Sequence, residues 1–101
     1  AVLDPPAPID LLDAGGRPVV VGDRGAVLRP PSRLGLRRDS SVAVMSWAGP
    51  WPADERWWDP KSAVRVARMQ VVDTQGRAYL VAGTMGVGGA DAQWCLEGIY
   101  D

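Results

Sequence analysis

A chain of 101 residues has room for one domain and one modest core. With 47% hydrophobic and 23% charged residues it is no disordered tail, and a net charge of −1 says little beside the distribution of charge along the chain. The absence of histidine removes the usual base of a nucleophilic triad, and the lone Cys95 excludes an internal disulfide and every multi-cysteine metal motif. No cofactor is expected. Nine prolines and twelve glycines call for many turns and few helices. Phenylalanine is missing, so apart from tryptophan and tyrosine the apolar mass is valine, leucine and alanine. No apolar run approaches a membrane span and no signal sequence opens the chain, which makes a cytoplasmic setting the default expectation.

Residues 1–8 read as an extended linker, because three prolines forbid helix and remove donors that a sheet would use. Starting without methionine, this lead-in suggests a fragment once joined to something larger. A single β module is expected over 9–101. Ile9–Asp13 and Pro18–Val21 read as a hairpin around Gly15 and Gly16. Gly22–Gly25 turns again, Ala26–Arg29 is a third short strand, and Arg33–Arg37 alternates with period two. Ser41–Trp47 is a stronger strand. Lys61–Asp73 is extended by its β-branched content, and Arg77–Ala82 returns from a turn at Thr74–Gly76. The two turns share Asp-x-x-Gly-Arg at Asp13 and Asp73, a pattern that local turn chemistry explains as well as a repeat does. Gly83–Ala90 reads as a glycine-rich loop lacking phosphate-cradle spacing. Asp91–Tyr100 closes the chain with Trp94, Leu96 and Tyr100 on one face. Short strands at regular intervals predict an all-β fold, either a small antiparallel sandwich or a partly open barrel resembling OB or SH3 folds.

Between Trp47 and Pro60 lie four of the five tryptophans and three of the nine prolines. This stretch reads as a long crossover capping an open end of the scaffold, with at most one short helical turn over Ala53–Trp57. The indoles serve either as exposed platforms or as bulk for a core without phenylalanine, and mixed use is expected. As a binding surface the candidates are Trp47, Trp51, Arg56, Trp57 and Trp58. Asp54, Glu55 and Asp59 are the only clustered carboxylates, and beside Arg56 and Lys61 they are better explained by salt bridging or turn capping than by acid–base chemistry. Charge alternates in blocks, acidic over 1–16, basic over 17–38, acidic over 39–60, basic over 61–77 and acidic again to the end. Arg17, Arg24, Arg29, Arg33, Arg37 and Arg38 form either a phosphate-binding stripe or dispersed outward charges, and the second is the weightier reading.

The run Trp47-Ala-Gly-Pro-Trp-Pro-Ala-Asp-Glu-Arg-Trp-Trp-Asp-Pro60, followed by Arg65-Val-Ala-Arg-Met-Gln-Val-Val72, a Gly-Arg turn and a closing Trp94-Cys-Leu-Glu-Gly-Ile-Tyr-Asp101, resembles the C-terminal region of ImuB-type proteins. These are catalytically inactive relatives of Y-family lesion-bypass DNA polymerases. The resemblance implies a non-enzymatic part in bacterial damage-induced mutagenesis. Its expected partners are a RecA-like accessory protein and an error-prone replicative-type DNA polymerase, placing it at the nucleoid when in complex. The palm-like part and clamp-binding peptide of that family lie upstream of such a segment, and the resemblance assigns no role to single positions. A second reading from the residues is single-stranded DNA binding on a barrel face through Arg33, Arg37, Arg38, Arg65 and Arg68 with exposed tryptophan.

Overall fold

Two long strands that each serve two neighbours, joined by one short strand, close the chain on itself. A computed structural model describes residues 2–21, 27, 29–37, 40–55, 64–85 and 93–100. Its strands are β1 (Val2–Leu12), β2 (Arg33–Arg37), β3 (Ser40–Glu55), β4 (Val64–Asp73), β5 (Ala78–Met85) and β6 (Gln93–Tyr100). They form a closed barrel in the order β1-β2-β3-β4-β5-β6, every pairing antiparallel. The fold is therefore all-β, and the barrel is the architecture formed. β1 pairs with β6 from Val2 to Ile9 and then with β2 from Asp10 to Leu12. β3 likewise leaves β2 after Ala43 and pairs with β4 from Val44 to Glu55. Closure satisfies strand edges that an open sheet would leave to solvent.

Several boundaries differ from those the sequence suggests. Residues 2–8 are extended, as three prolines require, but they belong to β1 rather than to a linker. The proline cost is met by irregularity: five steps along β1, Val2 to Ala7, match only two along β6, Gly98 to Leu96. The expected crossover is strand as far as Glu55, so the anticipated helical turn is extended over Ala53–Glu55. Residues 56–60, like Gly22–Ala26, Leu28, Arg38 and Gly86–Ala92, lie outside the described residues. Of the expected third strand, Ala26 and Leu28 lie outside the described residues and Val27 makes a bridge to Val21, while Gly83–Met85 continue β5.

Inward residues of all six strands make the core, with Leu11, Leu34, Met69, Val71, Tyr79, Val81, Trp94 and Leu96 almost wholly removed from water. The connector after β1 adds Val19 and Val21. It is anchored by the Trp94 indole, whose Nε1–H donates to the Val19 carbonyl at 3.0 Å. Along β6 inward alternation runs through Trp94 and Leu96, then slips where Leu80 pairs with Gly98 but Val81 pairs with Leu96. The slip places Glu97 in a bulge and turns Ile99 inward opposite Tyr79. Tyr100 therefore leaves the face it was expected to share with Trp94 and is 47% exposed.

The two Asp-x-x-Gly-Arg segments fold alike. In each, the Asp amide donates to the Arg carbonyl (Asp13 to Arg17, 2.8 Å; Asp73 to Arg77, 3.0 Å), and the glycine amide returns to the Asp carbonyl. Each Asp Oδ1 accepts two further amides, Gly15 and Arg17 in the first turn and Gln75 and Arg77 in the second. Gly16 and Gly76 take φ of 79° and 85°, a region where a side chain is strained. This is the turn chemistry anticipated for Asp and Gly, now satisfied by identical bonds.

Both carboxylates are buried, at 5% and 3% exposure, and both titrate below the ordinary value of 3.8. For Asp13 the Arg17 amide is the main cause, with burial opposing it and the Gly15 amide and the Arg29 and Arg17 charges assisting. For Asp73 burial alone would raise the carboxyl. The Arg77 amide, the Tyr79 hydroxyl and the Gln75 amide outweigh it, together with the Arg77 charge. The Tyr79 O–H donates to Asp73 Oδ2 at 2.9 Å, and burial followed by this bond raises the tyrosine. A depressed folded value contributes stability above the unfolded value that is lost as pH falls through the folded one. Tyr79→Phe removes part of that contribution, so it is expected to be less stable than the parent at pH 7 by urea unfolding, with the gap narrowing below about pH 4. A gap that stays constant or widens in acid contradicts the assignment. Trp94→Phe, which orphans the buried Val19 carbonyl, is expected to cost about 1–3 kcal/mol in the same measurement.

Candidate functional site

Half of the large apolar side chains left in solvent gather on one strand. Of the six large hydrophobic residues exposed among the described residues, Met45 (61%), Trp47 (38%) and Trp51 (50%) fall within seven residues of β3. Nothing in a small barrel's stability asks for indole in water, and clustered exposure of this kind marks interaction surfaces.

Register decides which way each indole faces. Trp47 stands opposite Val71, an inward residue, whereas Trp51 stands opposite Arg68, which alternates with buried Ala67 and Met69 and so lies outside. Plain alternation would put residues four apart on one face. Here three steps along β3, Ala48 to Trp51, match two along β4, Gln70 to Arg68, so the inserted residue flips the phase. The insertion sits at Gly49-Pro50. Gly49 has φ 105°, and a Cβ there would meet the Arg68 carbonyl oxygen at 2.9 Å and the Trp51 ring at 3.3 Å. Only glycine fits beneath that ring at that backbone angle. Pro50 and Pro52 are tolerated because no described strand pairs with β3 on its other side beyond Ala43, and residues without an amide donor blunt such an edge.

Outside the barrel, register lines up three rows of residues across β3 to β6. The first holds Trp51, Arg68, Ala82 and Cys95, the second Ala48, Gln70, Leu80 and Gly98, and the third Ser46, Val72, Ala78 and Tyr100. Gly98 is roofed by the Tyr100 ring, whose hydroxyl would lie 3.0 Å from a Cβ there. The charges placed among these rows are Arg68 and, from the β6 bulge, Glu97, and they bind each other, Nε to Oε1 at 3.0 Å. Outward positions of an antiparallel sheet facing water are normally polar. This face is largely apolar, with Ser46, Gln70 and Arg68 as the polar residues of its rows and an aromatic ring at two opposite corners.

Of the predicted interaction residues, Trp47 and Trp51 are exposed on β3, on opposite sides of it, while Arg56, Trp57 and Trp58 lie outside the described residues. The arginines of the second reading do not converge. Arg33 and Arg37 sit on β2, and the exposed Arg33 donates from Nη2 to Ser41 Oγ at 2.8 Å. Arg65 and Arg68 are on β4, where Arg65 pairs with Asp54 and Met85 and Arg68 holds Glu97. Since Arg33 faces Ala43 and Arg68 faces Trp51, the two pairs are separated by eight residues of β3, on the order of 20–25 Å. Arg38 is not among the described residues. Sequence reasoning missed Met45, Val72, Leu80 and Tyr100. Their signal was the unbroken apolar run of Tyr79–Gly83, which has no wet positions, together with a bulge that sequence does not announce.

No cluster of three or more potential metal ligands occurs among the described residues. Comparisons with protein-family models, curated proteins and solved structures find nothing that matches the chain.

Gly49→Ala is expected to lower stability by about 1–3 kcal/mol, because a methyl group must displace the β4 backbone or the Trp51 ring at a φ of 105°. Urea unfolding checks this, and a neutral substitution would mean that the bulge does not hold Trp51 where its register places it.

Proposed function

We propose that the module is a non-catalytic docking domain that joins a protein partner to a lesion-bypass assembly, with β3 as its contact strand. The observation that carries this reading is the solvent exposure of Met45, Trp47 and Trp51 within one short reach of a strand held in place along β4. Tryptophan and methionine are enriched at the centres of interfaces, where an indole anchors by filling a pocket on the partner. The strand supplies preorganisation, so little conformational entropy is lost on docking. Because Pro50 and Pro52 leave the β3 edge short of donors, docking by side chains suits this surface better than addition of a partner strand. The partner classes come from the resemblance of Trp47–Pro60 to ImuB-type C-terminal regions: a RecA-like accessory protein, an error-prone replicative-type polymerase, or both. The chemistry asked of this chain is recognition alone, and the arginines' separation along β3 favours a protein surface over a strand of nucleic acid.

Binding of the purified module to each of those two proteins, measured by biolayer interferometry, tests the proposal. Trp47→Ala and Trp51→Ala are each expected to weaken binding at least tenfold, the size of an interfacial anchor, while keeping the far-ultraviolet dichroism of the parent. Unchanged affinity in folded variants, or an oligonucleotide titration at low salt that saturates when neither protein binds, would overturn it.

A further inference from the structure

The outer face of β4, β5 and β6 has no part in the proposed contact of β3, apart from Trp51 at its border. We infer that it is covered by a second copy of this chain, in a two-fold dimer whose axis runs along β5.

Three observations lead there. First, β5 reads Ala78-Tyr-Leu-Val-Ala-Gly83 with an apolar residue at every outward position, the pattern of a strand buried on both faces, yet of its outward residues only Ala82 is buried within the chain while Ala78 and Leu80 are half-buried. Its outward Leu80 is left half-buried on a surface with no described element above it. Second, the face is its own electrostatic complement. Among the described side chains it carries a cation on β4 and an anion on β6, Arg68 and Glu97, on either side of β5. A two-fold axis along β5 exchanges those strands, so Arg68 of each copy meets Glu97 of the other and the two internal pairs merge into one four-membered network. A partner with net charge of either sign gains nothing from this face.

Third, sizes match under the same operation. Leu80 falls against its own counterpart, the exposed Tyr100 of β6 comes over Val72 of β4, and Trp51 of β3 comes over the β1 column, where Pro8 pairs with Cys95. Strands parallel to the axis stack aligned, the ordinary geometry of two sheets packed about 10 Å apart. The interface is isologous and closes on itself. Strands about 4.8 Å apart on a curved barrel limit the contact to on the order of 1,000 Å² in total, the low end of specific interfaces, so the dimer is weak. It leaves Met45 and Trp47 of both copies uncovered and therefore lends avidity to a partner docked there.

Sedimentation equilibrium of the full chain from micromolar to about millimolar concentration tests the inference in the range where so small an interface dissociates. The expected result is a monomer–dimer equilibrium, with Leu80→Lys, Arg68→Glu and Glu97→Arg each weakening self-association at least tenfold. An equimolar mixture of the Arg68→Glu and Glu97→Arg chains is expected to recover association, because their faces are complementary where each homodimer is repulsive. That recovery also shows that both variants are folded. A parent that stays monomeric throughout, or a dimer indifferent to Leu80→Lys and to the charge exchanges, overturns the inference. The docking reading, tested by partner binding to Trp47→Ala at monomer concentrations, stands or falls separately.

Discussion

The inserted residue at Gly49-Pro50 is the constraint from which the surface of this barrel follows. β3 is a long strand obliged to pair with β2 at its start and β4 for most of its length. In the second half, three residues must answer two. Gly49 accepts this by adopting a backbone angle that side chains avoid, directly against the Arg68 carbonyl. The consequence is a change of phase. Trp51 leaves the side on which Trp47 pairs with Val71 and comes out beside Arg68. An aromatic ring that simple alternation would aim towards the core is instead offered to solvent, roofing its own glycine.

The same device recurs on β6, where the slip at Glu97 turns Ile99 in and Tyr100 out over Gly98. Between these two displaced aromatics runs β5, apolar on both sides. The barrel thus has a conventional interior and an exterior that breaks the usual alternation along three consecutive strands. Among its described side chains the cation Arg68 is held by Glu97, which leaves little there for a polyanion. Against it, the two Asp-centred turns at Asp13 and Asp73 are purely structural. Each carboxylate accepts the amides that a tight reversal leaves unpaired, and Tyr79 ties the second turn to the core.

What the chain discloses from its letters alone follows from how local each signal is. The all-β class, the five residues of β2 and the return strands around Asp73 could be read because alternation, β-branched content and turn residues act over a few positions. The Trp-rich stretch misled because prolines and glycine say turn when read locally. A strand that no described strand pairs along its far edge absorbs both prolines, and the glycine serves a bulge whose existence depends on β4 opposite. The N-terminal prolines misled for the same reason, since β1 pays for them with a register slip against β6. Phase is not local. Which of Trp47, Trp51 and Tyr100 faces water is set by pairings with residues 17 to 24 positions away, and no periodicity within one strand encodes it. The separation of the arginines into two distant pairs was hidden for the same cause.

The proposed role requires that the Trp47 and Trp51 rings of β3 stand in solvent and meet a protein partner. Fluorine NMR of the chain labelled with 5-fluorotryptophan addresses it most directly, with resonances assigned by single substitutions. Trp47 and Trp51 are expected to show the solvent-isotope shift of exposed rings, and their signals alone among the assigned described tryptophans are expected to move when the RecA-like accessory protein or the polymerase is added, Trp94 staying fixed. Resonances of Trp47 and Trp51 as shielded from solvent as that of Trp94, or indifferent to both proteins at saturating concentration, would contradict it.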